Sequence, residues 1–238
     1  MIVKPIKARV FKESKDLVQF IVEHIPTITN SSVLAVTSKI VALAEGRTAV
    51  VKNEKERERL IRSESQSAQK SKYVWLTMKD GLPMANAGID DSNADGKLVL
   101  LPKDSFRAAA TLRKQLQKVY KVKRLGVIVT DSRVMPMRAG VVGVALGYAG
   151  FSGIKDYRGK PDIFGRKMKF TQTDTADSLA TAAVLVMGEG RESQPLCIIE
   201  DAPVVFTEKM DRRELVIAPK DDMYLPMFSR KGGRKKKR

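Results

Sequence analysis

Two carboxylates in this chain directly follow apolar segments, in positions where a protein can hold a metal ion. Asp131 and Ser132 come after LGVIVT, an apolar run that predicts a buried strand. Asp90 stands where the apolar start of NAGIDDSNADG turns. Carboxylate and hydroxyl oxygens are the ligands that hard divalent cations prefer, and such cations bridge proteins to nucleotide phosphates. The pattern therefore indicates a metal and phosphate site, with Asn93 placed to hydrogen-bond a sugar or base.

The same residues also have a purely structural interpretation. Asp-Asp-Ser-Asn and the Asp-Gly pair that follows are typical of turns, and aspartates at strand ends are common. The segment GKPDIFGRK (159–167) is not a phosphate loop, because five residues separate its glycines and Arg166 replaces the Lys-Ser/Thr pair. In MGEGRE (187–192), Glu189 and Arg191 flank a glycine turn that also reads as a helix C-cap. Residue types alone leave both interpretations open.

The composition excludes several other kinds of site. The chain has 238 residues with one histidine, His24, and one cysteine, Cys197, so the usual zinc sites and Ser-His-Asp or Cys-His pairings lack partners. Cys197 lies in the apolar run PLCII and is predicted to be a buried hydrophobic side chain. Nothing approaches the roughly 18 apolar residues of a membrane span, and the first residues lack the apolar core of a signal peptide. We therefore expect a cytoplasmic protein.

The net charge of +17 is concentrated at the C-terminus. Residues 229–238, SRKGGRKKKR, hold seven positive charges and no acid, which leaves +10 (17 − 7) for residues 1–228. We predict one domain over 1–228 and a disordered basic tail over 229–238, since the tail has no apolar residue to anchor it. The tail is either a solubilising end or a weak, non-specific contact for nucleic acid. The basic body suits anionic small molecules such as nucleotides.

Helices and strands are mixed along the chain without regular alternation. Helical patterns run from Ser14, as a cap, to Ile25, and over 54–72, 105–120 and 175–187. Short β-rich runs stand at 33–38, 73–78, 97–101, 125–131, 141–150 and 195–199. This order predicts an α+β fold with mixed sheets and packed helices, in preference to a doubly wound sheet.

Five segments, in the same order and with similar spacing, resemble the coenzyme F-420 gamma-glutamyl ligases. They are TSKIVALAEGR, ANAGIDDSN, VTDS, GVALGYAGFSGIKDYRGKPDIFGR and ADSLATAAVLVMGEG. The likeness runs from about residue 30 to about residue 200 and is far more specific than any single motif. It implies an unusual α+β fold and an intertwined homodimer.

The resemblance implies an NTP-dependent ligase, with GTP the usual nucleotide. Such enzymes convert a carboxylate to an acyl phosphate, which the amine of glutamate attacks, while Mg2+ or Mn2+, up to two per site, holds the phosphates. A monovalent cation is a further candidate. A metal with nearby cations stabilises the developing charge without histidine or cysteine, and no catalytic residue is assigned. Matched by motif, the metal ligands are Asp90, Asp131, Ser132 and Glu189. The predicted nucleotide contacts are Ser38, Lys39, Asn93, Gly188, Gly190, Val10 and Phe11.

Two departures from the family's pattern concern the substrates. Leu43 stands where the family usually has a lysine, and Lys39 is the candidate to supply that charge. After Ser132 the family typically reads Phe-Gly-Arg-Pro-Trp-Arg-Arg-Gly-Gln-Thr-Asp, whereas this chain reads RVMPMRAGVVG. It keeps Arg138, the candidate for acceptor binding, but loses an aromatic, several polar groups and a carboxylate. Because polar sites reject substrates that do not match them, we expect an anionic acceptor other than the deazaflavin, such as a folate, another pterin or a peptide.

The alternative interpretation is a protein that binds a nucleotide or RNA without catalysis, on a decayed ligase scaffold. Leu43 and the altered loop favour this alternative. The oxygen ligands at all four matched metal positions favour the ligase, because drift without use would not be expected to spare them.

Overall fold

The computed structural model of the chain describes residues 1–92, 94, 96–209 and 211–224. Its helices are α1 Leu17–His24, α2 Ser38–Ala44, α3 Glu54–Ser63, α4 Ser105–Tyr120 and α5 Thr175–Met187. Its strands are β1 Ile2–Ile6, β2 Ser32–Thr37, β3 Thr48–Ala49, β4 Ser67–Lys70, β5 Trp75–Lys79, β6 Leu82–Ala85, β7 Leu98–Val99, β8 Leu125–Val134, β9 Val141–Ala149, β10 Ile154–Asp156, β11 Gln172–Asp174 and β12 Leu196–Glu200. This mixture confirms the predicted α+β class.

A five-stranded mixed sheet with the order β1-β12-β2-β8-β9 forms the centre of the structure. Strands β2 and β8 are parallel, and the other neighbours are antiparallel. Successive side chains of a strand point to opposite faces. One face of β2 and β8 therefore packs against α1 and α4, and the other face packs against α5. Because both faces are covered, β2 is an almost continuous apolar run.

Smaller sheets stand beside the central one. Strands β4, β5 and β6 form an antiparallel meander, β3 pairs with β7, and β10 pairs with β11. Side chains from α3 and from the segments around β7 form a separate small core that includes Ile61, Ile89 and Leu98. This second core supports the segment that carries Asp90.

Helices α4 and α5 have the predicted bounds, and each begins at an aspartate cap, Asp104 or Asp174. Helix α1 starts later than predicted, because Asp16 accepts the hydrogen bond from the amide of Gln19, and Ser14 is not the cap. The predicted helix over 54–72 is wrong beyond Ser63, where β4 pairs with β5.

The structure adds α2 and several short strands that the sequence patterns did not show. Cys197 is buried, as predicted. The tail at 229–238 lies outside the described residues. Among the helices that the structure describes, none is both long enough and apolar enough to cross a membrane.

Candidate active site

A cleft of about 610 Å³ opens at one edge of the central sheet, a volume in the range that holds nucleotide-sized ligands. Most of the predicted site residues line it. They are Asp90, Asp131, Ser132, Glu189, Ser38, Lys39, Gly188, Gly190, Val10 and Phe11. Asn93 lies outside the described residues. Arg138 is exposed on the β8–β9 hairpin and does not line the cleft, so the structure does not bring this acceptor candidate to the others.

The parallel pairing of β2 and β8 places two of these residues side by side. Thr37 pairs with Thr130 at the ends of the shared register, so Ser38 and Asp131 follow at the same level. The hydroxyl of Ser38 donates a long hydrogen bond of 3.3 Å to Oδ1 of Asp131. The edge where these paired strands end is thus polar although the strands themselves are apolar.

The end of α5 brings Glu189 to the same edge. Strand β12 lies next to β2, and the amide of Thr37 donates to the carbonyl of Pro195, which fixes the loop before β12. Gly188 ends the helix with a φ of 80°, a conformation that favours glycine. Beyond it, Glu189 Oε1 accepts a hydrogen bond of 2.5 Å from the hydroxyl of Ser132. Two of the predicted metal ligands are therefore in direct contact.

Asp90 is positioned by a left-handed turn of three residues, Asn86, Ala87 and Gly88, with φ values of 51°, 56° and 71°. This backbone conformation costs about 1 to 2 kcal/mol for a residue with a side chain. The turn is held because Asn86 Oδ1 accepts from the amide of Trp75 at 3.0 Å, and the amide of Ala87 donates to buried Thr77 at 2.8 Å. Strain of this kind is typical of segments that position functional groups.

The carboxylate of Asp90 is engaged from two sides. Lys39 Nζ donates to Oδ2 at 2.8 Å, and Ser92 donates its amide to Oδ1 and its hydroxyl to Oδ2, at 2.8 and 2.6 Å. The ammonium of Lys39 also contacts the carbonyl and hydroxyl of Ser92. Partial burial acts to raise the pKa of Asp90, but these hydrogen bonds outweigh it and hold that pKa below its usual value. Asp90 is therefore a stable carboxylate beside a cation.

The pKa of Asp131 is shifted in the opposite direction to that of Asp90. Burial raises the pKa of Asp131, and the charge of Arg133, the amide of Ser132 and the hydroxyl of Ser38 offset that effect only in part. The charge of Asp90 raises it further, which shows that the two carboxylates act on each other. Among the described residues, no basic side chain forms a salt bridge with Asp131 within 4.0 Å. It is a buried carboxyl group without a direct counter-ion, and its burial disfavours the ionised form.

The donor set fits a hard divalent cation in its chemistry. It consists of carboxylate and hydroxyl oxygens, and a buried carboxylate without a counter-ion is the group that a bound cation would neutralise. Within the described part of the chain, however, no three His, Cys, Asp or Glu side chains converge closely enough to hold a metal by themselves. Hydroxyls, backbone carbonyls or phosphate oxygens would have to complete the coordination.

The cleft also carries the charges that a polyphosphate needs. Lys39, Arg9 and Arg191 line it together with four carboxylates, those of Asp90, Asp131, Glu189 and Glu192. Leu43, which stands where the related enzymes usually have a lysine, lines the same wall as Lys39, one turn further along α2. The cleft of this chain thus has a lysine on the α2 side, at position 39 and one helical turn before position 43.

Several lining residues were not predicted from the sequence. Asn86, Ser92 and Glu192 were either not singled out or were left to turn chemistry. Ser92 had a visible signal, since Asp-x-Ser lets the hydroxyl and amide return to the aspartate. Glu192 had no sequence signal, because the hydrogen bond of 2.8 Å that it accepts from the amide of Gly190 depends on the local fold of the loop.

Comparison with known proteins gives a consistent result. The profile of the family described as F420-0:Gamma-glutamyl ligase matches residues 5–201. "Coenzyme F420:L-glutamate ligase" of Methanococcus maripaludis strain C6 is 38% identical over 152 residues, 64% of this chain and 60% of that protein. The protein of the same name from Methanocaldococcus jannaschii is 39% identical over 150 residues, 63% of this chain and 59% of that protein.

The extent of the match differs between relatives. The matched part of the chain spans about 60% of the length of the methanogen proteins. "Coenzyme F420:L-glutamate ligase" of Archaeoglobus fulgidus is 30% identical over an alignment of 218 positions that covers 84% of this chain and 87% of that protein. The profile match at residues 5–201 includes every residue that lines the cleft.

Proposed function

Because this chain belongs to the F-420-0:gamma-glutamyl ligase family, we propose that it is a ligase that joins glutamate to a carboxylate acceptor at the expense of a nucleoside triphosphate. The observation that carries the proposal is the shared cleft. Asp90 and Asp131 come from segments forty-one positions apart, line one cavity and act on each other's charge. A cavity of this size with oxygen donors and basic side chains suits a nucleotide with its metal.

The reaction that we propose has two steps. An oxygen of the acceptor carboxylate attacks the γ-phosphorus, the bond to the β–γ bridging oxygen breaks, and the nucleoside diphosphate leaves with the electron pair. The amine of glutamate then attacks the acyl carbon, the carbon–oxygen bond to phosphate breaks, and the amine loses a proton as the amide forms. Inorganic phosphate is released.

The residues of this chain contribute position and charge to these steps. Lys39 and Arg191 lie where they can bind phosphate oxygens and stabilise the charge that develops on them. Asp90, Asp131, Ser132 and Glu189 would hold Mg2+ or Mn2+, and a divalent ion supplies neutralisation of phosphate charge and orientation of the triphosphate. The left-handed turn before Asp90 keeps that carboxylate in place without a change in backbone conformation.

We propose GTP as the nucleotide and an acceptor other than coenzyme F-420. The acceptor proposal is supported by the hairpin between β8 and β9, where Val134, Met135 and Met137 are exposed and the last is 91% accessible. Such a surface offers few polar partners to a polar acceptor. A pterin, a folate or a peptide carboxylate remains the candidate class.

We also propose a homodimer. Ile163, Phe164 and Phe170 lie between β10 and β11 and are each at least 88% exposed, and a cluster of large exposed apolar side chains marks an interaction surface. Light scattering should give twice the chain mass of 26.4 kDa. A monomer at all concentrations would contradict this part of the proposal.

The experiment that tests the activity is mass spectrometry of reactions with labelled glutamate. The purified protein is incubated with Mg2+ or Mn2+, GTP or ATP, and a panel that contains the F-420 precursor, folates and fractions of cell extract. We expect one glutamylated product. D90N and D131N should lose activity by at least the ~10 to 100-fold that follows when a residue that only orients a metal ligand is replaced.

The matched control is D91N, because Asp91 is adjacent to Asp90, is exposed and does not line the cleft. It should keep wild-type activity. A protein that binds GTP in the cleft but forms no product would favour the non-catalytic alternative. Full activity in D131N would remove that residue from the site.

A further inference from the structure

Arg133 is a charged side chain whose hydrogen bonds are incomplete in this structure. Its Nε and Nη2 atoms are buried and have no hydrogen-bond partner among the described residues. Within the described part of the chain, no other buried side-chain nitrogen or oxygen atom lacks a hydrogen-bond partner. Nη1 makes one long contact, donating to the carbonyl of Pro83 at 3.3 Å. A guanidinium with free buried donors is costly unless a ligand completes it.

The two free nitrogens have a specific geometry. Nε and Nη2 lie along one edge of the planar guanidinium, and their N–H groups point in the same direction. This edge is the fork that binds a carboxylate or phosphate through two parallel hydrogen bonds. Asp131 and Asp177 are the carboxylates whose charges act on Arg133, but neither forms a salt bridge with it. The fork therefore has no partner among the described residues, and because both nitrogens are covered, an anion reaches it only when the residues that cover it shift.

Arg133 does not itself line the cleft, but it directly follows Asp131 and Ser132, which do. Arg133 lies two residues after Asp131 on β8, and Pro83 lies on β6, the strand that leads to the turn before Asp90. Arg133 thus stands between the two segments that carry the paired aspartates. The rest of the hairpin tip, residues 134–141, is exposed, so it can move aside to admit a ligand without breaking core packing.

We propose that Arg133 binds a carboxylate of a substrate through its Nε–Nη2 fork, and that it favours an acceptor whose carboxylate adjoins an apolar group. The apolar preference follows from Val134, Met135 and Met137, the next apolar residues along the hairpin, which are 46 to 91% exposed. The assignment of the carboxylate to a ligase substrate rests on the proposed function. The binding of a carboxylate at Arg133 does not.

Arg133→Met alone does not separate a structural role from a binding role. It removes a buried charge with two unpaired donors, but it also removes the positive charge that offsets part of the burial of Asp131. The response to an added carboxylate separates the two roles, because a purely structural arginine would give none. Arg133→Lys keeps the charge but loses the fork, because an ammonium cannot form two parallel hydrogen bonds in one plane.

The test uses the full chain without nucleotide and four probes at matched ionic strength: sodium benzoate, L-glutamate, inorganic phosphate and chloride. We follow the side-chain Nε–H resonance of Arg133 in a 1H-15N spectrum, assigned with the lysine variant, and the melting temperature. Benzoate should shift the resonance and raise the melting temperature, while chloride should do neither. Arg133→Met and Arg133→Lys should each weaken the benzoate response at least tenfold.

The control is Arg107→Met, since Arg107 is an exposed residue of α4 that is not part of the cleft; it should respond to benzoate as the wild type does. A response to glutamate alone would assign the fork to the amine substrate. A response to phosphate alone, or a benzoate response that survives in Arg133→Met, would overturn the proposal. Benzoate binding without any ligase product would contradict the proposed function but would still support the carboxylate site.

Discussion

Replacement of Asp131 by asparagine should stabilise the metal-free protein. In the structure this carboxylate is largely buried, it accepts from the amide of Ser132 and from the hydroxyl of Ser38, the latter at 3.3 Å, and among the described residues no salt bridge neutralises it. An ionised group left in that condition costs about 1 to 3 kcal/mol or more. Arg133 offsets part of the cost, but the pKa of Asp131 is still raised, so the cost exceeds the compensation. We therefore expect D131N to gain at least about 1 kcal/mol at neutral pH.

The gain should depend on pH in a defined direction. Because the folded-state pKa of Asp131 is raised by burial, protonation favours the folded state and ionisation disfavours it. The cost is absent below the unfolded value of about 3.9 and becomes complete as the pH rises through the folded pKa. The advantage of D131N over the wild type should accordingly be small near pH 4 and grow as the pH rises toward 7.

The assay is thermal unfolding in EDTA between pH 4 and pH 8. For a chain of this size, about 1 kcal/mol corresponds to a rise of about 2 to 4 °C in melting temperature. D91N is the control, since Asp91 is exposed and its bond to Arg57 is a surface pair of little energy. A lower melting temperature for D131N at pH 7, or a difference that does not shrink toward pH 4, would refute the reasoning.

Two further predictions concern the other wall of the cleft. Lys39→Met removes the ammonium that Asp90 binds at 2.8 Å, so Mn2+ should bind the nucleotide-free protein more tightly, while GTP should bind at least about 10-fold more weakly. Calorimetric titrations with Mn2+ and with GTP measure both affinities. Tighter GTP binding would contradict the role assigned to Lys39. Gly88→Ala places a Cβ about 2.5 Å from Leu101 at a φ of 71°, so urea unfolding should show a loss of about 2 to 4 kcal/mol. Gly81→Ala, with φ at 79° but open space around it, should lose only the backbone part, and equal losses would contradict the packing argument.

The parts of the fold that sequence patterns could predict are those with local causes. Helix α4 has a cap at Asp104 and a helical apolar period, and α5 ends at Gly188, so their bounds follow from local signals. Helix α2 gave no helical signal of its own, because SKIVALA is only seven residues long and follows SVLAVT directly, with Thr37, Ser38 and Lys39 between the two apolar runs. Strand β4 has polar residues that suit a helix, and it becomes a strand only because Gln69 and its neighbours pair with β5.

The same distinction applies to the site. Asp131 was predictable because a carboxylate directly follows a buried strand. Its approach to Ser38 was not predictable from spacing, since it depends on the parallel register of β2 and β8. Arg133 gave no signal, because it lies beyond the predicted strand at 125–131, where an arginine normally reaches solvent, whereas β8 continues to Val134. Only the structure, in which its guanidinium contacts β6, shows that two of its donors are covered.

The central claim is that Asp90 and Asp131 bind one metal–nucleotide complex. The most direct measurement is anomalous diffraction from crystals grown with Mn2+ and a non-hydrolysable GTP analogue. The account predicts a manganese peak in the cleft within about 2.5 Å of carboxylate oxygens from both residues, with the triphosphate beside Lys39. Nucleotide bound elsewhere, or a manganese that contacts neither aspartate, would contradict it.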